Sequence, residues 1–277
     1  MAGTGNDFIL IDNSRGNPLW LPSIRAGTGA RPYAILAQRL CHRQNGIGAD
    51  GVLFLEKARP GTKADFRMRI FNPDGSEAEM CGNGIRCIAD YAFQQRMVPR
   101  RMNIETMAGV LAAEVKKKGW VRVMLSPPKG WKLPIRFQKE GIVLEGGFVN
   151  TGVPHAVFFV NDLERTDVAG LGSWIRYHRE FAPRGTNVNF VHCGNRHKIA
   201  IRTYERGVEG ETLACGTGAT AAALVAAQRG KVTSPVEVST RGGEILLVDF
   251  VREKNRITKV WLEGAVKTVF KGEIENV

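Results

Sequence analysis

Cysteine is scarce in this chain, and its spacing excludes more than its number does. The five cysteines (Cys41, Cys81, Cys87, Cys193 and Cys215) are odd in number, irregularly placed and few for 277 residues, which argues against a disulfide-stapled scaffold. None forms a C-x-x-C pair with histidines nearby, so no structural zinc or other metal is expected. Also missing is any run of about 18 apolar residues, so no membrane partner is expected. The opening MAGTGNDFILIDN lacks the basic and long apolar regions of a secretory leader, which with unpaired thiols points to the cytoplasm.

Clustered positive charge is missing too. A formal charge of +12 would suit a nucleic-acid-binding protein, but the Lys and Arg are scattered, with tight runs at Arg100-Arg101 and Lys116-Lys117-Lys118. No aromatic-rich RNA-binding signature lies among them, so a generally basic surface is the simpler account and no nucleic-acid partner is expected. The glycine clusters stop short of a dinucleotide fingerprint: neither GNGIRC nor GTGATA completes G-x-G-x-x-G. Regular alternation of strand and helix patterns is absent, which disfavours a doubly wound parallel sheet.

What is present is a set of short β-branched or aromatic runs punctuated by Gly, Pro and Asn: FILID, VLFLE, FRMRIF, VRVML, AVFFV, NVNFV, KIAIRTY, EILLVDF and KVWLE. Helical patterns are few. After Cys81, residues Ile85, Ile88, Ala89, Ala92 and Phe93 form one apolar face, and Pro99 is the expected stop. After Cys215, residues Ala219, Ala222, Ala223, Ala226 and Ala227 repeat the spacing, and Gly230 offers a C-terminal stop. Many strands around few helices predict an α+β fold.

The two halves echo one another. GTGNDFILID resembles NTGVPHAVFFVND from Asn150, and RIFNPDGSEAEMCGNG resembles RTYERGVEGETLACGTG with one residue inserted. Matches in the same order imply two similar lobes, with the Pro-rich SPPKGWKLP (Ser126–Pro134) as the passage between them. The expected division is 1–124 with 264–277 for a lobe carrying Cys81, and 125–263 for a lobe carrying Cys215.

The echo centres on two cysteines, each followed by Gly-x-Gly and a helical pattern. The first amides of a helix lack internal partners and sit at the positive end of its dipole, so a small-residue turn there binds an anion. The same field lowers a cysteine pKa from about 8.5 towards roughly 3.5–7.5. Two thiols flanking a carbon that bears a carboxylate can remove its proton on one face and return one on the other, the chemistry of a two-base racemase or epimerase. Cys41, Cys87 and Cys193 have no such setting and are assigned to the core.

These motifs carry a family resemblance. The stretches GTGNDF, NGIGADG, FNPDGSEAEMCGNG, GVPHAV, GTNVNF and YERGVEGETLACGTG span nearly the whole chain, and the chain closely resembles the diaminopimelate epimerase family of cofactor-independent amino-acid racemases. Proline racemases and phenazine-type isomerases share the implied fold but not this full set. The resemblance implies two pseudosymmetric lobes, each a mostly antiparallel or mixed sheet around a central helix, closing on the substrate. The last strand returns to the first lobe after Glu263. It implies interconversion of LL- and meso-2,6-diaminopimelate with no cofactor and no metal, serving lysine and cell-wall synthesis, and homodimers are common among such enzymes.

Residue by residue, the resemblance makes Cys81 and Cys215 the acid/base pair. Gly82, Asn83, Gly216 and Thr217 supply backbone amides to the reacting carboxylate. Glu205 accepts hydrogen bonds from the reacting ammonium and influences Cys81, and His155 poises Cys215. Asn6, Asn72, Asn187 and Arg206 read the distal amino-acid end, although Asn-Pro-Asp-Gly around Asn72 is by itself a turn signal. Two positions depart from the family pattern: Val153 replaces a common Asn, and Gly51 replaces a Gln found in some members. Relatives also carry a few strand residues ahead of GTGNDF, so an unpaired sheet edge is expected there.

Overall fold

The computed structural model describes residues 1–14, 31–254 and 256–274. The chain divides into two compact units, Met1–Val123 with Ala265–Val277, and Met124–Gly264.

The first unit contains β1 (Ala2–Gly3), β2 (Asn6–Asp12), α1 (Arg31–Cys41), β3 (Gly51–Glu56), β4 (Phe66–Phe71), β5 (Glu77–Ala78), α2 (Gly82–Gln94), β6 (Arg101–Thr106), β7 (Gly109–Lys117) and β8 (Trp120–Leu125). Strand β1 is antiparallel to β2, β2 parallel to β3, β3 antiparallel to β4, and β4 parallel to β6. Antiparallel β6, β7 and β8 follow, while β5 folds back beside the end of β4. The strand ahead of β2 is the two-residue β1, and Ala2 also bridges to Lys267.

The second unit contains β9 (Lys129–Lys139), β10 (Ile142–Asn150), β11 (Pro154–Phe159), α3 (Val168–Arg176), β12 (Asn187–Asn195), β13 (Lys198–Glu205), β14 (Gly210–Thr212), α4 (Gly216–Gln228), β15 (Val236–Ser239), β16 (Ile245–Glu253) and β17 (Arg256–Ala265). After antiparallel β9, β10 and β11 comes the pattern of the first unit: β11 parallel to β12, β12 antiparallel to β13, β13 parallel to β15, then antiparallel β16 and β17. Strand β14 folds back on β13 as β5 does on β4. The two units are therefore pseudosymmetric α+β lobes, each with a mixed sheet.

Helices α2 and α4 hold the same place in the two topologies. The spacing predicts one apolar face for each, but both are buried nearly all round. Helix α4 packs on β10, β11, β12, β13, β15 and β16, and its alanines let strands approach from every side. Helix α2 packs on β1, β2, β3, β4 and β7, and buries Arg86 and Asp90 along with its apolar residues, while Phe93 is only partly covered. Asp90 is satisfied there by the Gly119 amide at 3.0 Å and Gln94 Nε2 at 3.1 Å.

Two helices without a clear sequence signal, α1 and α3, cover other sheet surfaces. Tyr33, Leu36, Ala37 and Leu40 of α1 join Val52, Phe54 and Phe71 in one cluster. Leu171 and Ile175 of α3 join Phe158 and Phe190 in another. Strand β3, packed by α1 and by α2, therefore reads as a continuous apolar run. The expected passage SPPKGWKLP is irregular only as far as Pro128; the rest lies in β9. Pro134 fits within that strand because the β9–β10 register skips opposite it, between Gly146 and Phe148.

Pro99 does not stop α2, which ends at Gln94. The stop is a left-handed residue, Arg96 at φ 58°, with the Met97 amide donating to Ala92 O at 3.0 Å. Helix α4 ends identically with Gly230 at φ 70° and the Lys231 amide donating to Ala226 O at 2.9 Å. A side chain in this conformation costs about 1 kcal/mol that glycine avoids. Arg96→Gly should therefore stabilise the fold by roughly 0.5–1 kcal/mol, and Gly230→Ala should destabilise it by a similar amount. Urea titrations check both, and a destabilised Arg96→Gly protein would contradict this account.

Candidate active site

Each central helix begins at a cysteine. Cys81 is the N-cap of α2 with extended backbone (φ −136°, ψ 121°), and its sulfur accepts from the Gly84 amide at 3.5 Å. Cys215 caps α4 in the same way (φ −133°, ψ 111°), its sulfur accepting from the Gly218 amide at 3.4 Å. Sulfur is a long, weak acceptor beside the oxygen caps that helices prefer, so the first turn keeps much of its capacity to bind an anion. Glycine is required in both turns. A Cβ on Gly84 would lie 2.9 Å from Leu53 Cδ2, and one on Gly218 would lie 2.5 Å from Asn189 Oδ1.

The hairpins that deliver the two cysteines are braced alike. Arg69 Nε and Nη2 donate to the two carboxylate oxygens of Glu77 at 2.7 and 2.8 Å. Arg202 makes the same fork to Glu211 at 2.6 and 2.7 Å. Both pairs are largely buried, where a two-pronged guanidinium fixes geometry as well as charge.

Around Cys81 the first unit gathers Gly82, Asn83 and Asn6. Asn83 Nδ2 donates to Thr4 O at 3.0 Å and to Asn6 Oδ1 at 2.7 Å, and Asn6 Nδ2 donates to Asp50 Oδ2 at 3.1 Å. Asn72 is held differently. Its Nδ2 donates to Ser76 Oγ at 3.0 Å and its amide to Ser76 O at 2.9 Å, bonds that lie within its own turn. Gly51 is buried in β3, and a Cβ there would stand 3.0 Å from Phe71 O, so this sheet packs against a bare backbone.

Around Cys215 the second unit builds a relay. Asn189 Nδ2 donates to Ala156 O and to His155 Nδ1, both at 3.1 Å. Nδ1 is thereby the acceptor and the ring proton sits on Nε2, which donates to Thr217 Oγ1 at 3.0 Å. Thr217 Oγ1 lies 3.4 Å from Cys215 Sγ, so His155 reaches the thiol through the Thr217 hydroxyl. Thr203 Oγ1 holds Asn189 from behind at 3.0 Å, and Thr151 Oγ1 holds the Thr217 carbonyl at 2.9 Å. At the departure from the family pattern, the Val153 carbonyl accepts from the Thr151 amide at 3.2 Å.

Glu205, Arg206 and Asn187 form a second group in this unit. Burial raises the Glu205 carboxyl above its ordinary range, partly offset by the Thr212 hydroxyl at 2.9 Å. Asn187 Oδ1 accepts from the Arg206 amide at 2.9 Å and its Nδ2 donates to Pro154 O at 3.0 Å, so this side chain braces the chain beside Arg206. Burial and the neighbouring Arg176 and Arg184 hold the Arg206 guanidinium below its usual value. Such a crowded cation favours an anionic ligand. Arg176 itself pairs with Glu209 at 3.0 Å.

Asn189, the Thr217 hydroxyl and Arg86 are absent from the residues read from sequence. The first had a signal: Asn187 and Asn189 are two apart in a strand and so share a face. Among the described residues, no group of three or more His, Cys, Asp or Glu side chains is arranged to hold a metal ion. No helix among them is long and apolar enough to cross a membrane.

The architecture is that of a solved phenazine biosynthesis protein of the PhzF family from Bacillus anthracis, with a TM-score of 0.67 over 96% of this chain and 92% of that one at 14% identity. Within that fold the sequence is more specific. A diaminopimelate epimerase family model matches residues 1–131 and 147–269, and the chain belongs to the diaminopimelate epimerase family. The diaminopimelate epimerase of Aquifex aeolicus is 43% identical over 100% of this chain and 96% of its own length. That of Methanothrix thermoacetophila is 45% identical over 100% and 95%.

His155 is fully enclosed, and burial, with a smaller contribution from Arg206, pushes its pKa down to about 3. The imidazole is therefore neutral at physiological pH, consistent with its accepting and donating pattern. An unfolded histidine titrates near 6.5, so between about 6.5 and 3 the unfolded chain binds the extra proton. Stability is fully present above that window and falls by at most ~1.4 kcal/mol per pH unit within it. His155→Gln should flatten the acid slope relative to the parent in urea unfolding from pH 4.5 to 7. Equal slopes would refute a neutral buried His155.

Proposed function

We propose that this protein interconverts LL- and meso-2,6-diaminopimelate without a cofactor, with Cys81 and Cys215 as the two acid/base groups. The observation that carries the reading is the pair of cysteine N-caps at equivalent points of two lobes, each at the start of a buried helix whose first amides have no partner within the helix. One thiolate takes the α-proton and becomes a thiol; the other thiol gives its proton to the opposite face and becomes a thiolate. The carboxylate, bound by amides of Gly82, Asn83, Gly216 and Thr217, accepts the negative charge that develops on the α-carbon. Two helix dipoles stabilise that charge most in the transition state.

The remaining residues divide by chemistry. The Thr217 hydroxyl, oriented by neutral His155, can donate to or accept from Cys215 as its protonation alternates. Glu205 serves the reacting ammonium. Arg206 takes the distal carboxylate, relieving the repulsion from Arg176 and Arg184. Asn6 reads the distal end and Asn187 holds the Arg206 backbone, whereas Asn72 contributes through its turn. The reading places the enzyme in the cytoplasm, where thiols stay reduced.

Reduced protein given LL-diaminopimelate alone should yield the meso form by chiral analysis. In deuterium oxide the newly formed epimer should carry solvent label well before recovered substrate does. Cys81→Ala or Cys215→Ala should abolish turnover, and full activity in either would sink the assignment. Serine at either position should slow the reaction by a factor of about a thousand or more, since an alkoxide is not available near neutrality. The same change should leave stability unchanged or raise it by up to about 1 kcal/mol, because oxygen is the better cap.

Arg206→Leu should raise KM for diaminopimelate by about tenfold or more and weaken discrimination against an analogue without the distal carboxylate. An unchanged KM would remove Arg206 from substrate recognition.

A further inference from the structure

Among the described residues, Arg86 is the largest fully buried side chain. It lies in α2, just past the first turn that Cys81 caps, and apart from Asn83 and Asp90 the other buried residues of the helix are apolar or glycine. Burying a guanidinium is costly unless its donors are used, and the partners here point toward the half-site. Nη1 donates to Gly82 O at 2.9 Å, and Nη2 to Thr4 Oγ1 at 2.7 Å and Asn83 Oδ1 at 2.8 Å.

Those contacts continue into a line of side chains. Asn83, its oxygen held by Arg86, gives its amide hydrogens to Thr4 O and Asn6 Oδ1. Asn6 then donates to Asp50, whose other oxygen accepts from Arg43 at 2.8 Å. Thr4 stands in a left-handed conformation at φ 47° and is buried, so this turn needs an outside support. The line joins the first turn of α2 to the strand that carries Asn6.

The second unit offers an internal comparison. At the matching position of α4 stands Thr220, whose Oγ1 donates to Gly216 O at 2.9 Å, the same backbone contact that Arg86 makes to Gly82. A threonine therefore suffices to satisfy that carbonyl. The extra reach of arginine serves Asn83 and Thr4, and its fixed charge is confined to the Cys81 side.

We propose that Arg86 is a positioning residue for the reaction: it locks Asn83 and the Thr4–Asn6 turn, so that the anion-binding amides beside Cys81 and the side chain of Asn6 form one rigid frame. The proposal rests on the epimerase reading of this half-site, but half of its test does not. Arg86→Met keeps the volume and removes the fork. It should lower kcat/KM at least tenfold per folded site, with Arg86→Lys recovering part of the loss. The loss should be smaller in an Asn6→Ala background, where the line is already cut. Peptide mapping after limited iodoacetamide treatment reads the frame without turnover. The rate of Cys81 alkylation relative to Cys215 should change several-fold in Arg86→Met, because the fixed charge on the Cys81 side is lost and the turn that presents its sulfur is no longer braced, while the Cys215 turn is untouched. Should Arg86→Met not fold, Thr4→Val removes one acceptor isosterically and should give the same pattern at a threefold or greater loss. A variant that melts earlier but keeps kcat, KM and the alkylation ratio of the parent would make Arg86 a core residue and overturn the proposal. A parent without epimerase activity but with an Arg86-dependent ratio would overturn the functional reading alone.

Discussion

The structure depends on how a helix enclosed by its own sheet disposes of its unpaired first amides. An oxygen cap would hold one of them more strongly and add stability; both lobes use cysteine sulfur at 3.4–3.5 Å instead. The weaker cap leaves more of the first turn's capacity to bind an anion in place. Other features follow from this choice. Gly84 and Gly218 must be glycine because a side chain would collide with the surrounding sheet or its residues. Paired Arg–Glu forks hold the hairpins that deliver each sulfur to its cap.

One scaffold used twice does not give two equal cysteine turns. Beside Cys215 the polar chain is neutral throughout: Asn189, His155 and Thr217, with the imidazole stripped of its proton by burial. Beside Cys81 the corresponding space holds a guanidinium and the Asn83–Asn6 pair. The two lobes therefore surround equivalent cysteine caps with different materials, a neutral hydrogen-bond relay in one and a buried guanidinium in the other.

Burial couples two charged or titratable groups in the second unit. Burial, with Arg176 and Arg184, holds the Arg206 guanidinium below its usual value, and its charge in turn helps keep His155 neutral. Asn187 ties the Arg206 backbone to the strand next to the one that carries His155. The chain beside Arg206 and the strand of His155 are therefore held by one piece of sheet.

The sequence by itself was enough to define the α+β class, the pairing of the halves and the two cysteine turns, because each is written in local spacing: strands in short β-branched runs, caps in Cys-Gly-x-Gly, repetition in matching order. The named strand runs lie in strands, and Gly230 ends α4. Two features were decided only by tertiary structure. Both central helices are buried on nearly every side, since enclosure by a sheet overrides a one-faced pattern. The route from His155 to Cys215 through Thr217, and the reach of Arg86 to Thr4 across 82 positions of chain, join residues that no local window contains. Such contacts are set by which strands lie side by side, and that is a property of the folded sheet.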